Sequence, residues 1–273
     1  MNSIRLNNGA VIPQLGLGVY LTKDGEETAK SVKWALEAGY RHIDTAMIYG
    51  NEKSVAQGIK ESGVPRKDIF ITTKLWNEDI RQGRAQEAFK RSLEALDTDY
   101  VDLYLIHWPA DGYEKSWEEM EKIYESGRAK AIGVSNFQVH HLETLMKNAH
   151  IKPAVNQIES HPYFTNQELI DYCLGQNIDI EVWSPLGGTG GNNVLLDDTI
   201  KSLAAKYQKT PAQIIIRWDI QRGVIVMPKS THRDRILSNM DVFDWELSGE
   251  DMRMISELNR NERVGADPDS FDF

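Results

Sequence analysis

Short apolar stretches alternate with longer amphipathic ones along most of the chain. The longer stretches carry Leu, Ile and Ala at three- and four-residue spacing, which predicts helices in segments such as EETAKSVKWALEAG, RAQEAFKRSLEAL and NQELIDYCLGQ. The short stretches predict eight strands, namely LGLG (15–18), HIDT (42–45), IFITTK (69–74), VDLYLIH (101–107), AKAIGVS (129–135), AVNQIE (154–159), DIEVWS (179–184) and VIVMPK (224–229).

Several of these strands are apolar at consecutive positions, as strands are when helices cover both faces of a parallel sheet. Eight strand–helix units in about 250 residues predict an α/β fold of the (β/α)8, or TIM, barrel type. No linker-like tract divides the chain, so we predict a single domain over residues 1–273. Ahead of the first strand, Asn8-Gly9 between two apolar stretches predicts a β-hairpin with a tight primed turn.

A doubly wound open sheet is the alternative fold. It usually marks a nucleotide site with G-x-G-x-x-G after the first strand. LGLGVYL supplies Gly16 and Gly18 but has Leu21 in place of the third glycine, and no phosphate-binding G-x-x-x-x-G-K-[ST] motif occurs. Both absences favour the barrel.

Composition narrows the function classes. The net charge of −10 argues against a general nucleic-acid partner. No apolar run is long enough for a membrane span, and the first residues do not resemble a signal peptide. A single cysteine excludes an internal disulfide, which suits a reducing compartment. We therefore expect a cytoplasmic protein with neither nucleic acid nor membrane as a partner.

Ionisable residues stand at the ends of the predicted strands, where the chemistry of a TIM barrel is located. Three successive strands end on Asp44, Lys74 and His107, which packing alone does not require. Polar or aromatic residues end the later strands: Ser135-Asn136, Gln157 and Glu159, Trp183-Ser184 and Lys229-Ser230.

Eight motifs occur in register between residues 16 and 239, namely GLGVY, HIDTAMIYGNE, ITTKLW, LIHWP, IGVSNF, VNQIE, WSPLG and PKSTHRDRILSN. They make the chain similar to the aldo-keto reductase family, in particular to its bacterial, diketogluconate-reductase-like group. The terminal segment NERVGADPDSFDF resembles the short tails of that group. The resemblance implies a (β/α)8 barrel with an N-terminal hairpin cap, a short C-terminal tail, NADPH-dependent reduction of carbonyl compounds and a monomeric state.

The family's four catalytic residues correspond to Asp44, Tyr49, Lys74 and His107. The resemblance implies that Tyr49 donates a proton to the carbonyl oxygen. The Lys74 ammonium is expected to lower the tyrosine pKa, and Asp44 to keep Lys74 charged and oriented. His107 is expected to hydrogen-bond the carbonyl oxygen, while the nicotinamide supplies a hydride.

The resemblance also implies a cofactor site for NADPH/NADP+. Two cations and two hydroxyls in the family's 2′-phosphate clamp favour NADPH over NADH. A glycine-rich loop, Gly187 to Gly191, is expected to pass over the pyrophosphate. The implied cofactor residues are Ser135, Asn136, Gln157, Trp183, Ser184, Leu186, Gly187, Lys229, Ser230, Thr231, Arg235 and Asn239.

An open substrate pocket lined by Tyr20, Ile48, Trp76 and Trp108 is implied as well. Two positions depart from the family pattern. Tyr20 replaces a common tryptophan, which makes one pocket wall smaller and more polar. Ser238 replaces a common glutamate beside the adenine-binding asparagine.

Taken singly, the candidate residues also have structural explanations. Asp44 could cap a helix, Tyr49 and His107 could be core residues with satisfied hydrogen bonds, and Lys229 and Arg235 could be solvated. Three rival functions remain. The first is a Schiff-base aldolase that uses Lys74, and the second is a glycosidase that pairs Asp44 with Glu159. The third is an NADPH-binding regulatory protein with little turnover.

No metal site is expected, since His140-His141 lack ligand partners at suitable spacing. Cys173, in an apolar helical stripe, is expected to be inert.

Overall fold

In the computed structural model, residues 2–188 and 193–273 are described. Eight parallel strands form one sheet, and each corresponds to a predicted strand. Seven of the strands are shorter than predicted, and five C-terminal ends differ. One strand continues one residue past Lys74, three stop one residue early, including the strand before His107, and the last stops three residues before Lys229. The sheet strands are β3 (Leu17–Gly18), β4 (His42–Asp44), β5 (Phe70–Leu75), β6 (Leu103–Ile106), β7 (Ile132–Ser135), β8 (Val155–Glu159), β9 (Asp179–Trp183) and β10 (Ile225–Val226).

The eight strands follow one another in chain order, each parallel to its neighbour. The two edge strands also meet. The backbone N–H of Gly16 donates to Val226 O at 3.0 Å, that of Gly18 to Pro228 O at 3.1 Å, and that of Val226 to Gln14 O at 2.9 Å. Few backbone groups at the sheet edges are therefore left for other chains.

Helices connect the sheet strands and cover their outer face, because one stripe of each helix is apolar. Among the described residues, no helix is both long and apolar enough to cross a membrane. The α-helices are α1 (Glu26–Glu37), α2 (Glu52–Ser62), α3 (Asn77–Arg81), α4 (Ala85–Ala95), α5 (Tyr113–Glu125), α6 (Val139–Met146), α7 (Gln167–Gly175), α8 (Asp198–Tyr207), α9 (Pro211–Gln221), α10 (Arg233–Met240) and α11 (Gly249–Ser256).

The predicted N-terminal hairpin is present as β1 (Ser3–Arg5) paired antiparallel with β2 (Val11–Pro13). Its turn is not the two-residue primed turn that we predicted, which requires positive φ at both central residues. Only Gly9 has positive φ (88°) there, and Leu6 N donates to Ala10 O at 2.9 Å, so three residues form the loop.

The hairpin covers the N-terminal ends of the sheet strands. The side-chain amide of Asn7 donates to Pro153 O and Asn177 O, and that of Asn8 donates to Lys130 O. Each acceptor lies just before a sheet strand. An apolar cluster formed by hairpin and strand residues fills this end, so the polar strand ends lie opposite: Leu6, Ile12, Phe70, Leu103, Leu105, Ala131, Ala154, Val155, Ile225 and Met227.

Close packing of α1 on α2 depends on Gly58, and we expect Gly58→Ala to lower the free energy of unfolding by about 2 kcal/mol. A Cβ built at this position lies 2.5 Å from Ala29 O and 2.8 Å from Val32 Cβ, so the two helices would have to separate. Chemical denaturation measures the change. Gly175→Ala is the matched control: a Cβ there has no atom within 4 Å, so its helix propensity should raise stability by up to about 1 kcal/mol. Equal effects of the two substitutions would contradict the steric argument.

Candidate active site

The four predicted catalytic residues lie at the C-terminal ends of neighbouring strands. Asp44 is the last residue of β4, Lys74 is the penultimate residue of β5, and His107 follows β6 directly. Tyr49 ends a short 3-10 helix, Met47–Tyr49, just after β4. Because parallel strands end at the same edge of a sheet, the four side chains converge.

Asp44 and Lys74 form a buried ion pair. Lys74 Nζ donates to Asp44 Oδ1 at 2.8 Å, to Asp44 Oδ2 at 2.7 Å and to Thr45 O at 2.8 Å. The Lys74 side chain has no exposed surface. All of the ammonium's donors are therefore used, and its position is fixed. An amine with these three contacts has no free lone pair for attack on a carbonyl, which argues against the Schiff-base aldolase.

Tyr49 lies beside this pair and beside His107. Lys74 Nζ is 5.1 Å from the centroid of the Tyr49 ring, and the Tyr49 and His107 rings are 5.7 Å apart. We expected a lowered tyrosine pKa, but the net shift of the Tyr49 pKa is upward. Burial raises the pKa of Tyr49 well above its usual value, and the negative charge of Asp44 acts in the same direction.

His107 is a neutral imidazole at pH 7. Burial lowers the pKa of its ring well below the usual value, and the nearby Lys74 charge lowers it further. A neutral imidazole carries one N–H donor, so His107 can donate a hydrogen bond to an oxygen in the pocket without adding a charge. Its Nδ1 is buried and has no hydrogen-bond partner among the described residues.

Aromatic side chains surround Tyr49 and His107. The ring of Tyr20 is 5.0 Å from that of Tyr49, and the ring of Trp76 is 5.2 Å from that of His107. Ile48 is largely exposed and Trp108 is buried, so the four predicted pocket residues differ in accessibility.

The C-terminal segment adds two pocket residues that sequence reasoning missed. Phe273 stacks on Trp76 at 5.8 Å and meets Trp108 edge-on at 5.2 Å. Phe271 lies 5.1 Å from Trp108. The backbone of this segment is anchored, since Phe273 O accepts from Arg81 Nη2 at 2.8 Å. In the sequence, the only indication that this segment could line a pocket was the presence of two aromatic residues in an otherwise polar tail.

The polar residues predicted to bind the cofactor form one hydrogen-bonded network. Ser135 Oγ donates to Gln157 O at 2.9 Å, and Asn136 Nδ2 donates to His107 O at 3.0 Å. Trp183 Nε1 donates to Asn136 Oδ1 at 2.9 Å. The network therefore connects the ends of β6, β7, β8 and β9 into one surface beside the Asp44–Lys74 pair.

The glycine-rich segment begins directly after β9. Ser184 has positive φ (51°), and Gly187 N donates to Ser184 O at 2.9 Å, which turns the chain around Leu186. Gly190 and Gly191 of the predicted pyrophosphate loop lie outside the described residues.

The predicted phosphate clamp surrounds the start of α10. Lys229 and Arg235 are exposed, and within residues 2–188 and 193–273 neither forms an ion pair. Ser230 Oγ accepts from His232 N at 3.1 Å, Thr231 is half-buried, and Asn239 is buried. Two free cations at a helix N-terminus suit a phosphate dianion.

Glu159 does not have the arrangement that a glycosidase needs. Its buried carboxylate accepts from Val264 N at 2.6 Å and from Gly265 N at 3.1 Å, and His161 Nε2 is 3.1 Å away. It therefore holds the C-terminal segment rather than acting with Asp44 on a substrate.

The histidine pair on α6 does have a carboxylate partner, contrary to our prediction. Asp269 Oδ1 lies 3.1 Å from His140 Nε2 and 3.7 Å from His141 Nε2. Gln138 N donates to His141 Nδ1 at 3.2 Å, so the neutral ring carries its proton on Nε2. A metal ion would need that nitrogen's lone pair, and the cluster is therefore poorly suited to one.

The thiol of Cys173 is buried in the core. Burial raises its pKa to about 11, which leaves little reactive thiolate at neutral pH.

Comparison with known proteins gives a consistent result. The model of the Aldo/keto reductase family matches residues 14–260. Glyoxal reductase of Bacillus subtilis (strain 168) is 52% identical over 273 residues, covering 100% of this chain and 98% of that protein. Methylglyoxal reductase DkgA of Escherichia coli (strain K12) is 45% identical over 271 residues, covering 98% and 97%. The crystal structure of a Bombyx mori aldo-keto reductase in complex with NADP matches with a TM-score of 0.91 at 38% identity, covering 98% of this chain and 96% of that one.

Proposed function

Because this chain belongs to the aldo/keto reductase family, we propose that it is an NADPH-dependent reductase of aldehydes, α-dicarbonyls and keto sugars. The observation that carries this proposal is the buried Asp44–Lys74 pair beside Tyr49 and His107. Relatives named glyoxal reductase and methylglyoxal reductase support the α-dicarbonyl class in particular.

We also propose a fold and an oligomeric state for this reductase. The hydrogen bonds between β3 and the segment around β10 support a closed (β/α)8 barrel. We take residues 1–273 as one domain that works as a monomer.

Tyr49 donates the proton to the carbonyl oxygen. Its raised pKa keeps the hydroxyl protonated across the neutral range. The transfer remains favourable because the oxygen of a reduced carbonyl is a stronger base than phenolate. The Lys74 ammonium, held by Asp44, stabilises the phenolate that is left behind.

His107 orients the carbonyl. Its neutral ring donates a hydrogen bond to the substrate oxygen and stabilises the negative charge that develops there. When bound, NADPH supplies the hydride for the carbonyl carbon.

The chain's own groups fit this cofactor. Ser135, Asn136 and Gln157 form polar groups at one edge of the pocket for the carboxamide, and the half-buried Trp183 offers a ring face to the nicotinamide. Ser184, Leu186 and Gly187 would hold the pyrophosphate, and Asn239 would contact the adenine. The residues that would hold the 2′-phosphate are Lys229, Ser230, Thr231 and Arg235.

Replacing both Lys229 and Arg235 with alanine is expected to weaken NADPH binding about 100-fold and to leave NADH binding nearly unchanged. Each cation contributes about one charge-assisted hydrogen bond to the 2′-phosphate, which NADH lacks. Titration with each nucleotide, followed by tryptophan fluorescence, measures the ratio. The double variant Lys30→Ala/Lys201→Ala, at exposed positions of α1 and α8, controls for the loss of two positive charges. An equal loss of affinity for both nucleotides would contradict the assignment of Lys229 and Arg235 to the 2′-phosphate.

Reduction of methylglyoxal, glyoxal and a keto sugar by the purified protein with NADPH tests the function as a whole. Steady-state oxidation of NADPH with at least one of these substrates is the expected result. Tight NADPH binding without turnover over a wide carbonyl panel would instead favour the regulatory binding protein.

A further inference from the structure

Glu181 is a buried carboxyl group at the centre of the sheet, next to the proposed catalytic residues. It lies on β9 opposite Gln157 of β8, and its side chain has no exposed surface. Trp183 follows two residues later, on the same face of the strand. Packing does not explain a carboxyl group here, since isolated charges are costly to bury.

The side-chain amide nitrogen of Gln157 bridges Glu181 and the catalytic ion pair. Gln157 Nε2 donates to Asp44 Oδ2 at 2.8 Å and also to Glu181 Oε1 through a short hydrogen bond. Both amide hydrogens are therefore used. A flipped amide would put its oxygen against the Asp44 carboxylate and would leave the amide N–H groups without these two acceptors, so the neighbours determine the orientation.

This orientation decides which atom of Gln157 faces a ligand. With both N–H groups engaged, only Oε1 remains, and it can accept a hydrogen bond but not donate one. The carboxamide NH2 of a nicotinamide is a donor that matches it. A cofactor carrying a methyl group in place of that NH2 would lose the bond.

We propose that Glu181 is a positioning residue that, together with Asp44, locks the Gln157 amide with Oε1 towards the carboxamide of the nicotinamide. The inference rests on the proposed function, because it deepens the cofactor site of that reaction. Glu181 itself contacts neither substrate nor cofactor and acts through Gln157.

The charge state of Glu181 matters for the same reason. Burial raises its pKa to about 8, the charge of Asp44 also raises it, and Lys74 lowers it. His42 Nε2 lies 3.8 Å away, and burial lowers the pKa of that ring to about 3, so it stays neutral. At neutral pH a protonated Glu181 leaves Asp44 and Lys74 as a balanced pair.

Ionisation of Glu181 above that pH adds a negative charge beside Asp44. This charge raises the pKa of Tyr49 and so disfavours the phenolate that forms during reduction. We therefore expect part of the fall in kcat at alkaline pH to come from Glu181, with its midpoint near 8.

Glu181→Leu and Glu181→Gln test the inference, with Asp179→Asn as the control. Asp179 is a carboxyl two residues earlier on the same face of β9 and also has a raised pKa, of about 6. The probes are NADPH and its reduced 3-acetylpyridine analogue, which keeps the carbonyl oxygen but lacks the NH2. The wild type and Asp179→Asn should bind the analogue about tenfold more weakly than NADPH.

Glu181→Leu removes one of the two acceptors that hold the Gln157 amide and leaves only Asp44, so the ratio of the two affinities should fall to about threefold or less. Glu181→Gln keeps an acceptor for Gln157 and should keep the ratio, but its kcat should lack the inflection near pH 8. If Glu181→Leu fails to fold, Glu181→Ala takes its place, and an unchanged ratio of the two affinities overturns the inference.

An unchanged ratio in folded Glu181→Leu would likewise overturn it. If the wild type binds and uses NADPH but the Glu181 variants do not behave as expected, only the role of Glu181 is refuted. A wild type that binds no NADPH would refute the proposed function and the inference together.

Discussion

Replacing Tyr49 with phenylalanine is expected to lower kcat for methylglyoxal about 1000-fold while leaving NADPH affinity nearly unchanged. The hydroxyl is the proton donor of the proposed reaction. Its ring contacts with Tyr20 and His107 do not need the hydroxyl, and phenylalanine retains them. Single-turnover kinetics and fluorescence titration with NADPH separate the two effects.

Tyr124→Phe is the control for this substitution. It removes a hydroxyl from a half-buried tyrosine on the outer helix α5, away from the pocket. If Tyr49→Phe turned over substrate at the wild-type rate, another group would have to supply the proton, and the role of Tyr49 would be wrong.

Replacing Lys74 with methionine is expected to lower the free energy of unfolding by about 3–5 kcal/mol as well as to abolish most turnover. Methionine fills a similar volume but leaves the buried carboxylate of Asp44 without its counter-charge. The loss should grow as pH rises, because burying an unpaired carboxylate charge costs more than burying a neutral carboxyl group. Urea denaturation at several pH values measures both features.

The double variant Asp44→Asn/Lys74→Met distinguishes the effect of an unpaired charge from the effect of changed packing. Removing both charges should restore part of the stability lost in Lys74→Met, although turnover stays low. Lys30→Met is a surface control, since the Lys30–Glu26 pair is exposed and should matter by less than about 1 kcal/mol. Additive losses at Asp44 and Lys74 would contradict the description of a coupled pair.

The strand order and the catalytic edge of the sheet were predictable because they depend on local patterns. Apolar stretches gave the eight strands, and the ionisable residues at their ends gave the position of Asp44, Lys74 and His107. The extent of each strand was less predictable. In the last strand, only Ile225 and Val226 keep register with β9, so the chain leaves the sheet before Lys229.

Contacts between distant segments could not be predicted from local patterns. The C-terminal segment has no periodicity, and its aromatic residues alone did not indicate that Phe273 would pack on Trp76 or Asp269 on His140. Glu181 was hidden inside a strand that was otherwise apolar. The pKa of Tyr49 depends on burial, which motifs do not report, and for this reason its direction was predicted wrongly.

The buried ion pair and the C-terminal aromatic residues of the pocket differ in how well their positions tolerate substitution. Asp44 and Lys74 are buried in the sheet, where most substitutions cost folding stability. Phe271 and Phe273 lie on the C-terminal segment, outside the sheet, and pack on Trp108 and Trp76. Under the proposed function, varying a few tail residues can therefore alter which substrates enter, while the buried Asp44–Lys74 pair stays unchanged.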